Sequence, residues 1–280
     1  GRRLAWREYG ERTGRPCIYT AGTPASGLCG AVFHEAALRA GVRWVAPDKP
    51  GSGHSDFMPR RRLLDWADDV AQLADHLRLT RFAVAGESGG GPHTLALAAR
   101  LPQRVTVAVC VAGMGQGDSP ELRRAMTLQF RTMLWLAAHA PWLPGFLMGR
   151  MVAAVADPQR RAALLQRQMK LAPAADAAAF ARHPEKLEQV LLAYVDAFRG
   201  GTRGPVQEFA LFTRPWEFEP AAIEAPVHLW HGEEDRNVPV SAARRLAAMI
   251  PGCTAHYITG AGHGLWDQID AIVQTVATAA

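Results

Sequence analysis

The residues Gly86-Glu87-Ser88-Gly89-Gly90 carry the most specific chemistry in the chain. A serine hydroxyl attacks a carbonyl at neutral pH only when a base takes its proton and the backbone presents it free of neighbours. A tight turn between a strand and a helix meets the second need. Gly86 and Gly90 allow close packing where a side chain would collide, and Ser88 is pushed up in a strained conformation. Gly89 follows directly, so its backbone N–H lies beside the attacking oxygen at the start of a helix whose dipole favours an anion. Glu87 either tunes the charge next to Ser88 or points away from it. The chemistry implied is acyl transfer through a covalent acyl-serine.

For that turn to work, Phe82 to Ala85 must be a buried strand and a helix must start near Pro92 and end before Pro102. The surrounding sequence supplies the rest of such a sheet. Arg3 to Tyr9, Pro16 to Thr20, Val42 to Ala46 and Val105 to Ala112 read as strands, the last a continuous Val-rich run of the kind buried on both faces. Leu64 to Leu79 is helical, with Trp66, Val70, Leu73 and Leu77 recurring at spacings of three and four. From residue 114 to 216 helical periodicity and alanines replace the strand signal. Strands then resume at Val227 to Trp230 and Ala255 to Ile258, with helices from Ser241 to Ile250 and from Leu265 onward. A sheet that pauses and resumes implies one α/β domain, residues 1–113 and 217–280, carrying a helical insertion over 114–216.

With these residues in view, the sequence resembles the α/β-hydrolase family, in particular its serine-nucleophile, esterase-like members with a helical cap. The resemblance implies a mostly parallel sheet of the eight-stranded type, flanked by helices, with the cap after the sixth strand. It also implies a triad in the chain order Ser, Asp, His. Gly232-Glu233-Glu234-Asp235 with Pro239 resembles the family's acid loop and points to Asp235, with Glu233, Glu234 and Asp118 as rivals. Gly260-Ala261-Gly262-His263-Gly264 resembles the loop bearing the catalytic histidine, His263. Thr20-Ala21-Gly22-Thr23-Pro24 aligns with the family's His-Gly-x-Pro segment, so that Thr23 supplies a second oxyanion N–H beside Gly89; the family's histidine is replaced by Ala21. The segment from Asp48 to Asp56 (DKPGSGHSD) resembles the family's D-R-P-G-x-G-x-S loop and reads as structural, with Asp48 bracing it.

Composition excludes several other functions. The net charge is +5, but the 28 arginines among 31 basic residues are scattered in short doublets, and the one triplet, Arg60-Arg61-Arg62, lacks interleaved aromatics, so no nucleic-acid partner is expected. Cys17, Cys29, Cys110 and Cys253 show no metal or disulfide spacing and suit a reducing, cytoplasmic setting. Gly1-Arg2-Arg3 opens the chain without an apolar run, so no signal peptide is expected. Residues 133–156 are apolar, yet His139, Pro141, Pro144, Gly145 and Arg150 argue against a membrane span. No metal cluster or dinucleotide fingerprint is present, and no cofactor is expected.

The expected substrate is a small, largely apolar ester, lactone or related acyl compound. Met133, Trp135, Trp142 and Phe146 of the insertion are the candidate pocket wall, although the same apolar surface leaves a homodimer open. Two other readings remain: an acyl-transfer, cyclising or carbon–carbon bond hydrolase with the same triad, and a ligand-binding receptor that keeps the fold without turnover.

Overall fold

The computed structural model describes residues 1–116, 124 and 126–278. Seven strands form one sheet: β1 (Trp6–Gly10), β2 (Arg15–Thr20), β3 (Val42–Pro47), β4 (Phe82–Glu87), β5 (Val105–Val111), β6 (Val227–Gly232) and β7 (Thr254–Ile258). Their spatial order is β1-β3-β2-β4-β5-β6-β7. Only β1 runs antiparallel to its neighbour, and β3 to β7 form a parallel array. Among the described residues the sheet has seven strands, so the strand preceding the helical segment is the fifth.

Alternation along the strands divides the interior in two. Ala83, Ala85, Val107 and Val109 face one side, where α1 (His34–Arg39) and a C-terminal helix (Ile269–Thr278) supply Ala36, Ala37, Ile272, Val273 and Val276. Phe82, Val84, Ala108 and Cys110 face the other, packing against α2 (Leu63–His76) and α3 (Gly90–Arg100) through Trp66, Val70, Leu95 and Leu97. Both faces being covered explains why the central strands read as continuous apolar runs. The helix α1 and the 3₁₀ turn before it (Gly27–Phe33) have no counterpart in the sequence reading. They are too short for a helical period to emerge.

Between β5 and β6 the described residues form helices and no strand: α4 (Leu128–His139), α5 (Trp142–Ala156), α6 (Pro158–Leu171), α7 (Ala174–Arg182), α8 (Pro184–Ala197) and α9 (Arg203–Leu211). Met126, Leu134, Met148, Val206, Phe209 and Phe212 join Met114, Val238 and Ala242 in a third apolar cluster that fixes this segment to the end of the sheet. After β6 come α10 (Val240–Met249) and, past β7, α11 (Ile269–Thr278). Among the described residues no helix is long and apolar enough to cross a membrane.

Candidate active site

Ser88 follows β4 near the centre of the sheet, with φ +51. That left-handed conformation is costly for a residue with a Cβ and persists only where the surroundings impose it. Here they do. The Ser88 N–H donates to Val111 O at 2.8 Å, and its carbonyl accepts the N–H groups of Gly91 and Met114, each at 3.0 Å. A Cβ on Gly86 would lie 2.3 Å from Thr94 Oγ1, and one on Gly90 would lie 2.1 Å from Thr20 O. The turn therefore closes only with glycine at both places.

Asp235 and His263 lie in the loops after β6 and β7, at the same carboxyl end of the parallel strands as Ser88. His263 Nδ1 is 2.7 Å from Asp235 Oδ2. Asp235 Oδ1 accepts the N–H groups of Asn237 and Val238 at 2.8 and 2.9 Å. Burial alone would raise the Asp235 pKa. The His263 charge and the hydrogen bonds from His231 and His263 overcome this and hold it well below the usual carboxylate range. For His263, burial acts downward, but the charge and hydrogen bond of Asp235, then the charges of Asp176 and Glu87, raise its pKa to about 9. Of the rival acids, Glu233 pairs with Arg244 and Thr259, Glu234 is exposed, and Asp118 lies outside the described residues.

Ser88 and His263 line one cavity of about 350 Å³, together with Gly22, Thr23 and Glu87. Among the described residues no hydrogen bond joins Ser88 Oγ to His263, and the Thr23 and Gly89 N–H groups donate to no protein acceptor. A site of this volume holds a small organic molecule. Its wall is mostly apolar: Phe33, Trp266 and Ile269 from the sheet domain face Phe130, Phe180, Leu187, Val190 and Tyr194 from the helical segment. No lysine or arginine lines it among the described residues. Two carboxyl groups do, Glu87, whose pKa burial raises, and Asp176. Asp176 is 2% exposed, and its Oδ2 has no hydrogen-bond partner.

The expected wall residues are elsewhere. Trp135, Trp142 and Phe146 are 58, 73 and 60% exposed, and Met133 packs into the third apolar cluster. Trp135 lines a separate surface cleft with Leu128, Arg131 and His139. The reason is geometric. Helices α4 and α5 are apolar on several faces, so composition marks them as apolar without selecting the face turned to the cavity. Asp176, Lys49, Glu208 and His93 were not singled out by the sequence as site residues. Lys49 had a visible signal, standing where the resembled D-R-P-G loop has its arginine; Asp176, in an alanine-rich helix, had none.

The comparisons agree with this architecture. Residues 22–269 match the family model described as alpha/beta hydrolase fold. A dihydrolipoyllysine-residue acetyltransferase component of an acetoin cleaving system from Pseudomonas putida is 34% identical over 60% of this chain, which spans 42% of that protein's length. A 2-hydroxy-6-oxononadienedioate/2-hydroxy-6-oxononatrienedioate hydrolase from Comamonas testosteroni is 26% identical, over 84% of this chain and 75% of its own. The enol-lactonase structure from Burkholderia xenovorans LB400 superposes with a TM-score of 0.71 at 20% identity, covering 99% of this chain and 96% of that one, and so shares the fold. With the family model spanning five of the seven strands, β3 to β7, and the helices between them, this chain belongs to the α/β-hydrolase fold family of enzymes.

Proposed function

We propose that the protein is a serine hydrolase that cleaves a small, largely apolar carboxylic ester, lactone or related acyl compound through an acyl-enzyme. The observation that carries this reading is the buried Asp235 carboxylate 2.7 Å from His263 Nδ1, with that imidazole and Ser88 on one cavity wall. Asp235 holds the proton on Nδ1, which leaves Nε2 as the basic nitrogen. Neutral His263 takes the Ser88 proton as Oγ attacks the carbonyl carbon, a contact that tightens when substrate binds. The N–H groups of Thr23 and Gly89 receive the oxyanion. His263 then returns the proton to the leaving group, and water repeats the sequence to release the acid.

Residues 114–216 act in this reading as a cap over the core formed by 1–113 and 217–280, supported by the aromatic and branched side chains that α7 and α8 contribute to the cavity. Carboxyl groups and, among the described residues, no lysine or arginine at the wall favour neutral acyl compounds over carboxylate-bearing ones. The similarity to the Comamonas hydrolase makes a hydrolysis of that type the second reading, on the same triad, but a dioate would meet Glu87 and Asp176.

A fluorophosphonate probe tests the nucleophile: it should label the wild type and not Ser88→Ala. Folded wild-type protein that neither reacts nor turns over p-nitrophenyl esters would overturn the assignment in favour of a binding protein. Mass spectrometry of products from a panel of esters, lactones and 1,5-diketones then identifies the bond cleaved and whether water is the acceptor.

A further inference from the structure

Four ionisable side chains outside the triad meet beneath the Thr23 loop. Lys49, 2% exposed, donates from Nζ to Ala21 O at 2.8 Å and lies 3.4 Å from Gly22 O and 3.3 Å from Thr23 Oγ1. The same ammonium is 3.0 Å from Glu208 Oε1. Glu208 belongs to α9, so this carboxylate comes from the helical segment. It also pairs with the buried Arg61 guanidinium and accepts the Thr23 hydroxyl at 3.4 Å. Arg61 Nη1 lies 3.3 Å from His93 Nε2, and His93 Nδ1 lies 3.0 Å from Gly89 O. Burial, with the charges of Lys49 and Arg61, keeps His93 neutral. Since the Gly89 carbonyl can only accept, the proton sits on Nδ1, and Nε2 accepts from Arg61. Burial and then the Arg61 charge press the Lys49 pKa well down.

These contacts bear on the direction of two amides. In a trans peptide unit the C=O and N–H point in opposite directions. The Gly22 carbonyl, held by the Ala25 N–H at 2.8 Å and by Lys49, therefore turns the Thr23 N–H away from Lys49. The Ser88 carbonyl, held by Gly91 and Met114, fixes the Gly89 N–H in the same way. The two loops also touch, since a Cβ on Gly89 would lie 2.3 Å from Thr23 Oγ1. The resembled family has a histidine where this chain has Ala21, and here the carbonyl of that residue is taken by Lys49.

We propose that Lys49 and Glu208 are positioning residues for the oxyanion hole: their buried ion pair clamps the Thr23 loop against the Gly89 turn, in place of the histidine the chain lacks, and ties that clamp to the helical segment. The inference rests on the serine-hydrolase reading above. A buried ammonium that satisfies several carbonyls loses its partners only at high cost, so the loop has one arrangement rather than several.

The test compares Lys49→Met, Glu208→Gln, Thr23→Val and Lys49→Arg with wild type, using p-nitrophenyl acetate as substrate and a short alkyl boronic acid as the tetrahedral mimic. A loosened hole stabilises the transition state less while leaving ground-state binding alone. The expected result for Lys49→Met is a kcat lower by roughly 10- to 100-fold, with KM changed by less than about 2-fold. Boronic acid affinity should fall by the same factor as kcat/KM, and Lys49→Arg should recover part of both. Should Lys49→Met fail to fold, Thr23→Val keeps the ion pair and the backbone N–H and should show a smaller kcat loss at constant KM. A folded Lys49→Met or Thr23→Val with wild-type kcat and boronic acid affinity overturns the clamp. Ser88→Ala separates the two levels: if it retains turnover the serine-hydrolase reading fails, and if it is inactive while Lys49→Met is unaffected only the clamp fails.

Discussion

Asp176 Oδ1 accepts the Gly264 N–H at 3.0 Å, so a carboxylate from helix α7 is seated beside the loop that carries His263. Its charge adds to that of Asp235 in raising the His263 pKa to about 9, against the effect of burial. A general base must be neutral, and at pH 7 a group with that pKa is unprotonated in about one molecule in a hundred. The log of kcat/KM should therefore rise with unit slope from neutral pH and level off near pH 9. Asp176→Asn keeps an acceptor for Gly264 and removes the charge, so its rising limb should lie at lower pH, with higher kcat/KM at pH 7. Superimposable limbs for wild type and variant would remove Asp176 from the account.

The Asp235–His263 pair links pH to stability. The folded pKa of His263 is raised from 6.5, so its contribution is fully present below pH 6.5 and is lost as pH rises through about 9. Asp235 is depressed from 3.8, so its contribution is present above that pH and is lost as pH falls toward its folded pKa. Thermal melts of the wild type should decline between pH 6.5 and 9.5, and His263→Gln should decline less over that interval. Equal declines would place the alkaline loss elsewhere in the protein.

Ser88 at φ +51 carries a backbone cost that alanine retains and glycine removes. The left-handed conformation costs about 1–2 kcal/mol for a residue with a Cβ, while the greater freedom of glycine in the unfolded chain returns about 0.5–1 kcal/mol of that. Both Ser88→Gly and Ser88→Ala should be inactive, with Ser88→Gly the more stable of the two. Denaturant unfolding at equal m-value measures the difference; a less stable glycine variant would mean the turn holds little strain.

Much of this site is legible in the sequence because its positions follow strand ends. Short loops after the strands that hold Val84, Leu229 and Tyr257 locate Ser88, Asp235 and His263, and parallel strands bring their carboxyl ends together. Asp48 is also where its loop suggests, accepting from Arg7, Gly27 and His54. Lys49 next to it faces the Thr23 loop instead, a choice of side that neighbouring residue types do not reveal. The helical segment is harder still. Asp176 sits among alanines, and Glu208 in a helix with no motif; each acquires a role only when the segment packs over the sheet.

The cavity wall gives the sharpest contrast between the two kinds of aromatic residue in that segment. Phe180 packs against Trp266 with ring centroids 5.3 Å apart and planes inclined by 38°, and both line the cavity beside His263. Trp142 is 73% exposed and borders neither. Phe180→Ala removes a large apolar group from the wall, so KM for short acyl esters should rise while longer acyl chains become better substrates, the vacated volume accepting the added methylenes. Each methylene buried there is worth about 0.8 kcal/mol, which is close to a fourfold gain in kcat/KM per carbon until the space is filled. Trp142→Ser should leave the whole acyl-length profile in place. A profile that shifts for Trp142→Ser and not for Phe180→Ala would mean that the substrate enters against α5 and not against α7.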